Sequence, residues 1–401
     1  MERISRPLTA ERAGVETSFV EKLVELGILG PDGEGRLAES DVRRVRIMQV
    51  LEDAGLPLEG VAEALRSSAL SLDFIDTPTY ERWASLSTMT FQGLSDRTKV
   101  PVELLAVIRE AMGFVPPEPD DRVRENELPV VPLVQLQHRH GFRPEVIERA
   151  LRVYGENMRR IAETESDWWR SEVVMPIIHA GLAPTGLSEA ANELSPVLAE
   201  VSDQAILAIY HGQQAHSWMR NILEGFEIAL AAAGIQTRLE RVPAICFLDL
   251  TGYTRLTEEQ GDAAAAALAR DLASVVQRSS MQHGGRAVKW LGDGVMFHFP
   301  EPGRGVMAAL DMVEAAKAAG LPPAHVGLHA GQVLFQEGDY FGRTVNIAAR
   351  IADYARPGEV LVSQEVVEAS RSEAAAFQEI GQVELKGVSG PVHLYRAQVL
   401  A

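Results

Sequence analysis

Two carboxylates occupy positions where they could bind metal ions together. Asp249 directly follows a short apolar run, 244–248, that is typical of a buried strand. Asp293 comes 44 residues later, in a Gly-Asp-Gly turn between the strand-like runs 286–291 and 295–299, which predicts a β-hairpin. Taken singly, the two residues are typical of a helix cap and a turn. If the hairpin lies beside the first strand, both carboxylates reach one edge of the sheet, where they suit the divalent cations of triphosphate chemistry.

Three further polar residues could act on the same substrate. Lys289 lies in an otherwise apolar strand-like run, four residues before Asp293. Asn346 and Arg350 are four residues apart, so they share one face of a predicted helix and could reach ribose or phosphate oxygens. Each of the three could equally be an ordinary solvated side chain. Their meaning therefore depends on the elements that position them.

The elements around these residues predict an α+β domain. After the first strand the pattern indicates a helix, the hairpin, a second helix, a strand, a third helix and three short closing strands: 254–278, 286–299, 303–319, 324–335, 342–355, 359–362, 379–385 and 392–398. The order β-α-β-β-α-β is that of a ferredoxin-like sheet, and we expect its helices on one face.

With these pieces in place, residues 242–398 resemble the catalytic domain of the class III nucleotidyl cyclases, over about 157 of the 401 residues. The motifs that carry the resemblance are FLDLTGYT (247–254), KWLGDGVMF (289–297), GDYFGRTVNIAAR (338–350) and LKGVSGPVHLYR (385–396). One small departure is Tyr253, where the family more often has Phe. The resemblance implies a ferredoxin-like cyclase fold at the C-terminus.

The resemblance also implies a role for each candidate residue. Asp249 and Asp293 would bind two divalent metals, Mg²⁺ or Mn²⁺, with the Leu250 carbonyl as an extra ligand. Asn346 would position the ribose, and Arg350 would stabilise charge on the reacting phosphate.

Three further residues would hold the substrate. Lys289 and Asp339 would read the purine, and Lys386 would touch the terminal phosphates. A Lys donor beside an Asp acceptor matches the acceptor N1 and donor N6 of adenine, whereas guanine presents the opposite pattern. Because unpaired buried groups cost about 1–3 kcal/mol each, we expect ATP to be preferred over GTP.

The implied reaction is attack of the ribose 3′-oxygen on the α-phosphorus, which gives 3′,5′-cyclic AMP and pyrophosphate. In this family the metal carboxylates come from one catalytic domain and the purine-reading residues from another. Since this chain carries one copy with all six positions filled, the resemblance implies a head-to-tail homodimer with two equivalent sites. Guanylate cyclase activity is the alternative within the family.

The first 235 residues are predicted to form an all-helical regulatory region with two parts, 1–70 and 71–235, before the catalytic part 236–401. Residues 6–66 resemble the helix-turn-helix of the MerR regulators. The candidate recognition helix, 16–27, carries three glutamates and one lysine, whereas DNA readers need Arg, Lys or Asn. We therefore expect a packing or sensing role, and a MerR-like DNA-binding regulator with a cyclase-like sensor domain is the alternative reading.

The region before the catalytic part also offers candidates for a regulatory signal. A Pro-rich, charged stretch at 115–132 predicts a linker, and a long helix is expected at 196–235, ending near Gly234. Apolar and aromatic residues at helical spacing predict a helix-bundle core or a pocket for a lipid-like or other small effector: Trp168, Trp169, Ile177, Ile178, Ile206, Ile209, Tyr210, Trp218 and Ile222. His138, His140, His211 and His216 suggest a pH switch, although lone histidines are mostly structural or solvated.

Composition limits the class of protein. The formal net charge is −18, with 38 acidic and 24 basic residues in 1–240 and 18 and 14 in 241–401. This balance disfavours a general nucleic-acid coat or a polybasic membrane binder, but not a nucleotide held through metals. Cys246 is the one cysteine, so no intrachain disulfide is expected. No apolar run approaches a bilayer span and the N-terminus lacks a signal-peptide pattern, so we expect a cytoplasmic protein with no transmembrane segment.

Overall fold

The computed structural model describes residues 3–72, 86–182, 185–235, 242–370 and 375–400. The chain divides into two compact units, Met1–Ile222 and Leu223–Ala401. The predicted boundary between regulatory and catalytic parts, at residues 235 and 236, borders a stretch outside the described residues. No helix in the described ranges is long and apolar enough to cross a membrane.

The first unit begins with short helices around a small core. Its elements are β1 (Arg3–Ile4), α1 (Arg6–Ala13), α2 (Thr17–Glu25), β2 (Leu37–Ala38), α3 (Asp41–Asp53) and α4 (Leu58–Arg66), with β1 and β2 antiparallel. Val20, Leu23 and Val45, spaced along one face of their helices, are fully buried there. The side chains of Glu16, Glu21 and Glu25 are exposed, and Lys22 pairs with Glu52 at 2.6 Å. The predicted recognition helix therefore presents mainly acidic groups to solvent.

A second cluster of helices follows in the same unit. It contains β3 (Leu86–Thr90), α5 (Phe91–Thr98), α6 (Val102–Ala111), β4 (Arg122–Arg124), a 3₁₀ turn (Leu128–Val130), α7 (Val131–Arg139) and the first part of α8 (Pro144–Trp169). The stretch predicted as a linker thus contains β4 and the 3₁₀ turn. Inside it, Glu127 accepts two hydrogen bonds from the buried Arg109 at 2.6 and 3.0 Å, which ties the stretch to α6. The ladders β1–β2 and β3–β4 are short additions to an otherwise mostly helical region.

Helices also dominate the rest of the described residues before 242. A π-helical turn (Arg170–Val174) links α8 to α9 (Met175–His179), and α10 (Thr185–Glu189) passes through a second π turn (Ala190–Leu194) into α11 (Ser195–Ala232). The predicted long helix is therefore present, with Gly234 just beyond its end. None of the nine apolar residues assigned to a helix-bundle core is buried in the single chain, and Trp218 is 61% exposed. The prediction of a bundle core is wrong for the single chain.

The second unit is built on a seven-stranded mixed sheet. Its strands are β5 (Ala244–Leu250), β6 (Arg286–Leu291), β7 (Gly294–Phe299), β8 (Ala324–Ala330), β11 (Val360–Ser363), β12 (Ala375–Val383) and β13 (Val392–Val399), in the order β12-β13-β11-β8-β5-β7-β6. A separate hairpin joins β9 (Leu334–Gln336) and β10 (Asp339–Phe341). Cys246, fully buried, lies in β5, an interior strand between β8 and β7.

Helices cover both faces of this sheet. α13 (Asp262–Gln282), α14 (Pro302–Ala318) and α16 (Gln364–Ala369) share one apolar core with the Ala244, Cys246 and Leu248 side of β5. α15 (Arg343–Tyr354) packs on the opposite face, where Ala348 meets Ile245 of β5. The expectation that all helices lie on one face is therefore wrong for α15, the helix that carries Asn346 and Arg350.

Two predicted elements are divided in the structure. The helix expected at 254–278 is α12 (Tyr253–Gln260) followed by α13, because Gly261 adopts a φ of +82° that side-chain-bearing residues rarely take. The strand expected at 324–335 is β8 followed by β9, since the chain leaves the sheet after Ala330. The β-α-β-β-α-β order is confirmed.

Candidate active site

The two metal-binding candidates lie at the same edge of the sheet. Strands β5 and β7 are antiparallel neighbours with Leu248 opposite Val295, which brings the β6–β7 turn beside the end of β5. A Cβ atom at Gly294 would stand 3.3 Å from Asp249 Oδ1, so the residue next to Asp293 touches the Asp249 carboxylate. The juxtaposition predicted from the hairpin pattern is therefore present.

The electrostatics of this pair suit a bound cation. Burial raises the pKa of Asp249 above its ordinary value, and the negative charge of Asp293 raises it further. The structure thus holds two mutually repelling carboxylates at one place, and a cation between them would offset the repulsion. In the described part of the chain no group of three or more His, Cys, Asp or Glu side chains forms a metal cluster. Backbone, water and substrate oxygens could complete the coordination of a hard cation.

A histidine missed by the sequence analysis also contacts Asp249. His325 lies opposite Asp249 in the β5–β8 pairing, and its Nε2 is 3.8 Å from Asp249 Oδ2. Its other ring nitrogen, Nδ1, is 3.2 Å from Thr251 Oγ1. The sequence around His325 gave little indication of this contact, because a single histidine in an apolar strand is usually structural. Only the register between β5 and β8 brings it opposite Asp249.

The two residues predicted to read a purine are in direct contact. Lys289 Nζ donates to Asp339 Oδ2 at 2.8 Å, although the residues are 50 positions apart. Asp339 Oδ1 accepts a second hydrogen bond from the backbone N–H of Tyr340, also at 2.8 Å. Asp339 is mostly buried and Lys289 half-exposed, so the pair has a fixed carboxylate and a cation that can still reach a ligand.

The hairpin that carries Asp339 is held by aromatic packing. The Tyr340 ring is buried and stacks on His298 of β7 with the two ring centroids 4.3 Å apart. Arg286 of β6 donates to the Tyr340 hydroxyl at 2.8 Å. Because both neighbours come from the β6–β7 hairpin, the same hairpin positions Lys289, Asp293 and, through Tyr340, Asp339.

Asn346 and Arg350 both lie exposed on α15, as their spacing predicted. The Arg350 guanidinium donates to Asp353 Oδ2 at 2.6 Å, one turn further along the helix. The helix approaches the sheet closely at Gly327 of β8, where a Cβ atom would stand 2.1 Å from the Ala352 nitrogen. A side chain at 327 would therefore push away the helix that carries both candidates.

The two remaining site candidates occupy different environments. Leu250 is buried at the end of β5, beside Asp249. Lys386 is exposed in the loop between β12 and β13, and no contact among the described residues joins it to the other candidates. Leu250 therefore lies beside Asp249 in the structure, whereas the roles of Leu250 and Lys386 stay predictions.

The histidines proposed as pH sensors lie outside the catalytic sheet. His211 and His216 are both exposed on α11, and His138 and His140 lie at the end of α7. Nothing among their described contacts links them to the carboxylates, so the pH switch stays a prediction.

Comparison with known proteins agrees with this geometry. Residues 236–398 match the family model described as the adenylate and guanylate cyclase catalytic domain. An uncharacterized protein of Mycobacterium tuberculosis is 33% identical over 247 residues, which are 60% of this chain and 61% of that protein. This chain therefore spans about three fifths of the length of the first curated relatives that it matches. The C-terminal part of the chain is thus similar to cyclase catalytic domains.

Other similar proteins are named as cyclases. A pH-sensitive adenylate cyclase of M. tuberculosis is 27% identical over 319 residues, 76% of this chain and 77% of that protein. An adenylate cyclase of Streptomyces coelicolor is 30% identical over 189 residues, 45% of this chain and 50% of that protein. Among solved structures, the adenylyl cyclase CyaB of P. aeruginosa is 23% identical with a TM-score of 0.36, over 40% of this chain and 95% of that chain.

Proposed function

We propose that the protein is an adenylate cyclase that converts ATP to 3′,5′-cyclic AMP and pyrophosphate. The observation that carries the choice of adenine is the 2.8 Å contact between Lys289 and Asp339. It puts one cationic donor beside one fixed carboxylate acceptor, the pattern that matches N1 and N6 of adenine. Guanine reverses both groups and would leave each unpaired, which costs about 1–3 kcal/mol per group.

The other candidate residues fit the rest of the substrate. Asn346 and Arg350 project from one face of α15, where an amide can orient the ribose and a guanidinium can offset charge that develops on the α-phosphate. Arg350 must first leave Asp353, to which it donates in the single chain, or share its guanidinium with the phosphate. Lys386, in an exposed loop, is placed in this proposal at the terminal phosphates.

Asp249 and Asp293 would hold two divalent cations, Mg²⁺ or Mn²⁺, with the Leu250 carbonyl as an extra ligand. The fit rests on two neighbouring, partly buried carboxylates. Burial is the main cause of the raised pKa of Asp249, and the negative charge of Asp293 raises it further. When bound, such metals lower the pKa of the attacking 3′-hydroxyl and neutralise charge on the triphosphate. The two carboxylates orient the substrate because they fix the positions of the cations.

The proposed active species is a head-to-tail homodimer. Trp290, Leu291 and Phe341 flank the Lys289–Asp339 pair, and each is between 43 and 47% exposed in the single chain. Large apolar side chains exposed around a polar pair are typical of a surface that a second protein copy covers. The carboxylates of one copy would then face the purine-reading pair and α15 of the other.

The first experiment is a cyclase assay on the purified full-length chain with Mn²⁺ and either ATP or GTP. We expect cyclic AMP from ATP, little product from GTP, and none from Asp249→Ala. No cyclic nucleotide from either substrate would end the enzyme proposal, and a preference for GTP would overturn the assignment of adenine.

Complementation tests the homodimer. Asp249→Ala and Arg350→Ala should each be inactive alone, because each removes one half of both sites. When the two are co-expressed, a mixed dimer retains one complete site, so activity should return to about a quarter of wild type by random pairing. If each site were built within one chain, the mixture would stay inactive.

The first unit is proposed to regulate the catalytic part rather than to bind DNA. Its predicted recognition helix exposes Glu16, Glu21 and Glu25, while Lys22 is engaged by Glu52. Such a surface repels the phosphate backbone of DNA. Comparison of the activities of residues 236–401 and the full chain gives the sign of the regulation.

A further inference from the structure

A polar cavity lies in the second unit, and none of the proposed metal-binding and purine-reading residues lines it. It has a volume of about 310 Å³ and is lined by residues of β8, α15, α16 and the β12–β13 hairpin, among them His329, Arg343, Glu365, Gln382 and His393. None of the eight candidate site residues lines it. On α15, Arg343 and Ile347 line the cavity; Arg343 lies about two helical turns before Arg350, and Ile347 is turned by about 100° around the helix from Asn346.

One side of the cavity carries the positive charge of Arg343, while Glu365 lines another part of it. Within the described residues no carboxylate lies within ion-pair distance of Arg343, whose guanidinium donates only to the Ser389 carbonyl at 3.4 Å. The preceding Gly342 has no side chain to cap α15, and the Thr344 hydroxyl donates to the Gln332 carbonyl instead. The free N–H groups of the first turn and the helix dipole therefore add to the positive charge of Arg343.

A buried imidazole forms the opposite wall. The His329 side chain is only 9% exposed, and its Nδ1 is 2.8 Å from the fully buried Ser363 hydroxyl. Burial lowers the pKa of His329, so the ring is neutral at neutral pH. Its Nε2 has no protein partner among the described residues. The atom is accessible from the cavity, so a bound polar group could form a hydrogen bond with it in place of solvent.

The remaining wall is polar and carries one negative charge. Glu365 Oε2 is 3.6 Å from His329 Nδ1, and His393 Nε2 is 2.7 Å from Glu379 Oε1. Gln382 supplies a side-chain amide that can donate or accept. An anionic group therefore suits the side of Arg343 and the start of α15, whereas hydrogen-bond donors of a ligand suit Glu365.

We propose that this cavity binds a small anion that carries a carboxylate or phosphate group, bound by Arg343 and the N-terminal turn of α15. The volume is at the lower limit for ligand sites, so the ligand is a small metabolite or phosphate itself rather than a nucleotide. The anion would hold the start of α15 against the hairpin that contains Ser389 and Lys386. Binding does not depend on the proposed function; only the effect of the anion on cyclase activity does.

Calorimetric titration of the full-length chain tests the site, with inorganic phosphate, glycerol 3-phosphate and succinate as probes and glycerol as the uncharged control. We expect at least one anion to bind with a Kd of about 1 mM or tighter, and glycerol not to bind. Tighter binding of either organic anion than of phosphate would identify a metabolite site. Preference for phosphate would identify the free ion as the ligand.

Substitutions locate the binding. Arg343→Gln should lower the affinity for the anion at least about tenfold. Arg356→Gln, at an exposed arginine outside the cavity, should leave the affinity unchanged. Because Arg343 is exposed, its variant should fold, and the thermal midpoint checks this. Three results would overturn the proposal: no binding of any anion by the wild type at about 10 mM, equal affinity in Arg343→Gln, or loss of binding in Lys386→Gln but not in Arg343→Gln.

Discussion

Asp249 and His325 face each other across neighbouring strands, with 3.8 Å between the carboxylate Oδ2 and the imidazole Nε2. Thr251 lies 3.2 Å from the other ring nitrogen, so a hydroxyl, an imidazole and a carboxylate form one chain of contacts at the end of β5. Partners of this kind orient a metal-binding carboxylate from behind. His325 is therefore expected to prepare Asp249 for a cation rather than to bind one.

Removal of that imidazole should weaken metal binding. We expect His325→Ala to raise the Kd for Mn²⁺ by about tenfold, since loss of such an outer partner typically costs 10- to 100-fold. Free Mn²⁺ can be measured by its electron paramagnetic resonance signal without any substrate. His283→Ala, which removes an imidazole paired with Asp311 elsewhere in the unit, is the matched control. Equal Mn²⁺ affinity in His325→Ala and the control would show that His325 only packs.

Asp293→Asn should stabilise the metal-free protein while it inactivates the enzyme. The substitution removes the like charge that adds to the raised pKa of Asp249, and water screens these half-exposed groups, so the gain is a few tenths of a kcal/mol. Activity should fall by about a hundredfold or more because a metal carboxylate is lost. Thermal unfolding in a chelator and a cyclase assay measure the two effects. A lower thermal midpoint would contradict the proposed repulsion.

Gly327→Ala should displace α15. Its new methyl group would overlap the Ala352 nitrogen, 2.1 Å from the Cβ position, and overpacking of this kind costs about 1–3 kcal/mol. Cyclase activity should fall by more than the loss of folding stability explains, since Asn346 and Arg350 move with the helix. Gly225→Ala, with nothing within 4 Å of its Cβ position on helix α11, is the control and should stabilise by about 0.5–1 kcal/mol. Unfolding midpoints in urea separate the two.

Asp339→Asn should relax the choice of nucleotide. An amide can present either its oxygen or its NH₂ group, so the fixed acceptor that favours adenine is lost. We expect the ratio of kcat/KM for ATP over GTP to fall about tenfold, which corresponds to about 1.4 kcal/mol of discrimination. Glu337→Gln, in the turn of the same hairpin, should leave the ratio unchanged. An unaltered ratio in Asp339→Asn would remove Asp339 from purine recognition.

His329 should make the catalytic unit less stable in mild acid. Burial lowers its pKa in the folded state, whereas in the unfolded chain it has the ordinary value near 6.5. The stability contribution is therefore complete above about pH 6.5 and declines as the pH falls, because only the unfolded chain takes up the proton readily. His329→Gln should lower stability at pH 7.5 but flatten its loss between about pH 6.5 and 5. Urea unfolding at several pH values measures both slopes, and equal slopes would contradict the expectation.

Local patterns predicted most of the catalytic unit. The alternation of apolar runs located the strands around Asp249 and Asp293, and the Gly-Asp-Gly turn indicated the hairpin that brings the two together. The four-residue spacing placed Asn346 and Arg350 correctly on one helix face. These features depend on a few neighbouring residues, so sequence alone predicts them.

Features that depend on distant contacts were not predictable in this way. The side of the sheet on which α15 packs is determined by Gly327 and by apolar residues of several strands, among them Ile245 and Leu361, which no single segment reveals. The partnership of Asp249 and His325 follows from the β5–β8 register, 76 residues apart in the chain. The apolar residues of α11 are exposed although their helical spacing predicted a bundle core. Such spacing does not say whether the partner is the same chain or another one.

The single cysteine, Cys246, can serve as a natural probe of unfolding. It is the one thiol, fully buried in the interior strand β5 three residues before Asp249, and burial raises its pKa so that almost no thiolate forms. Alkylating reagents can reach it only when β5 separates from its neighbours. The rate of labelling therefore reports the opening of β5, the strand that carries Asp249, without any engineered label.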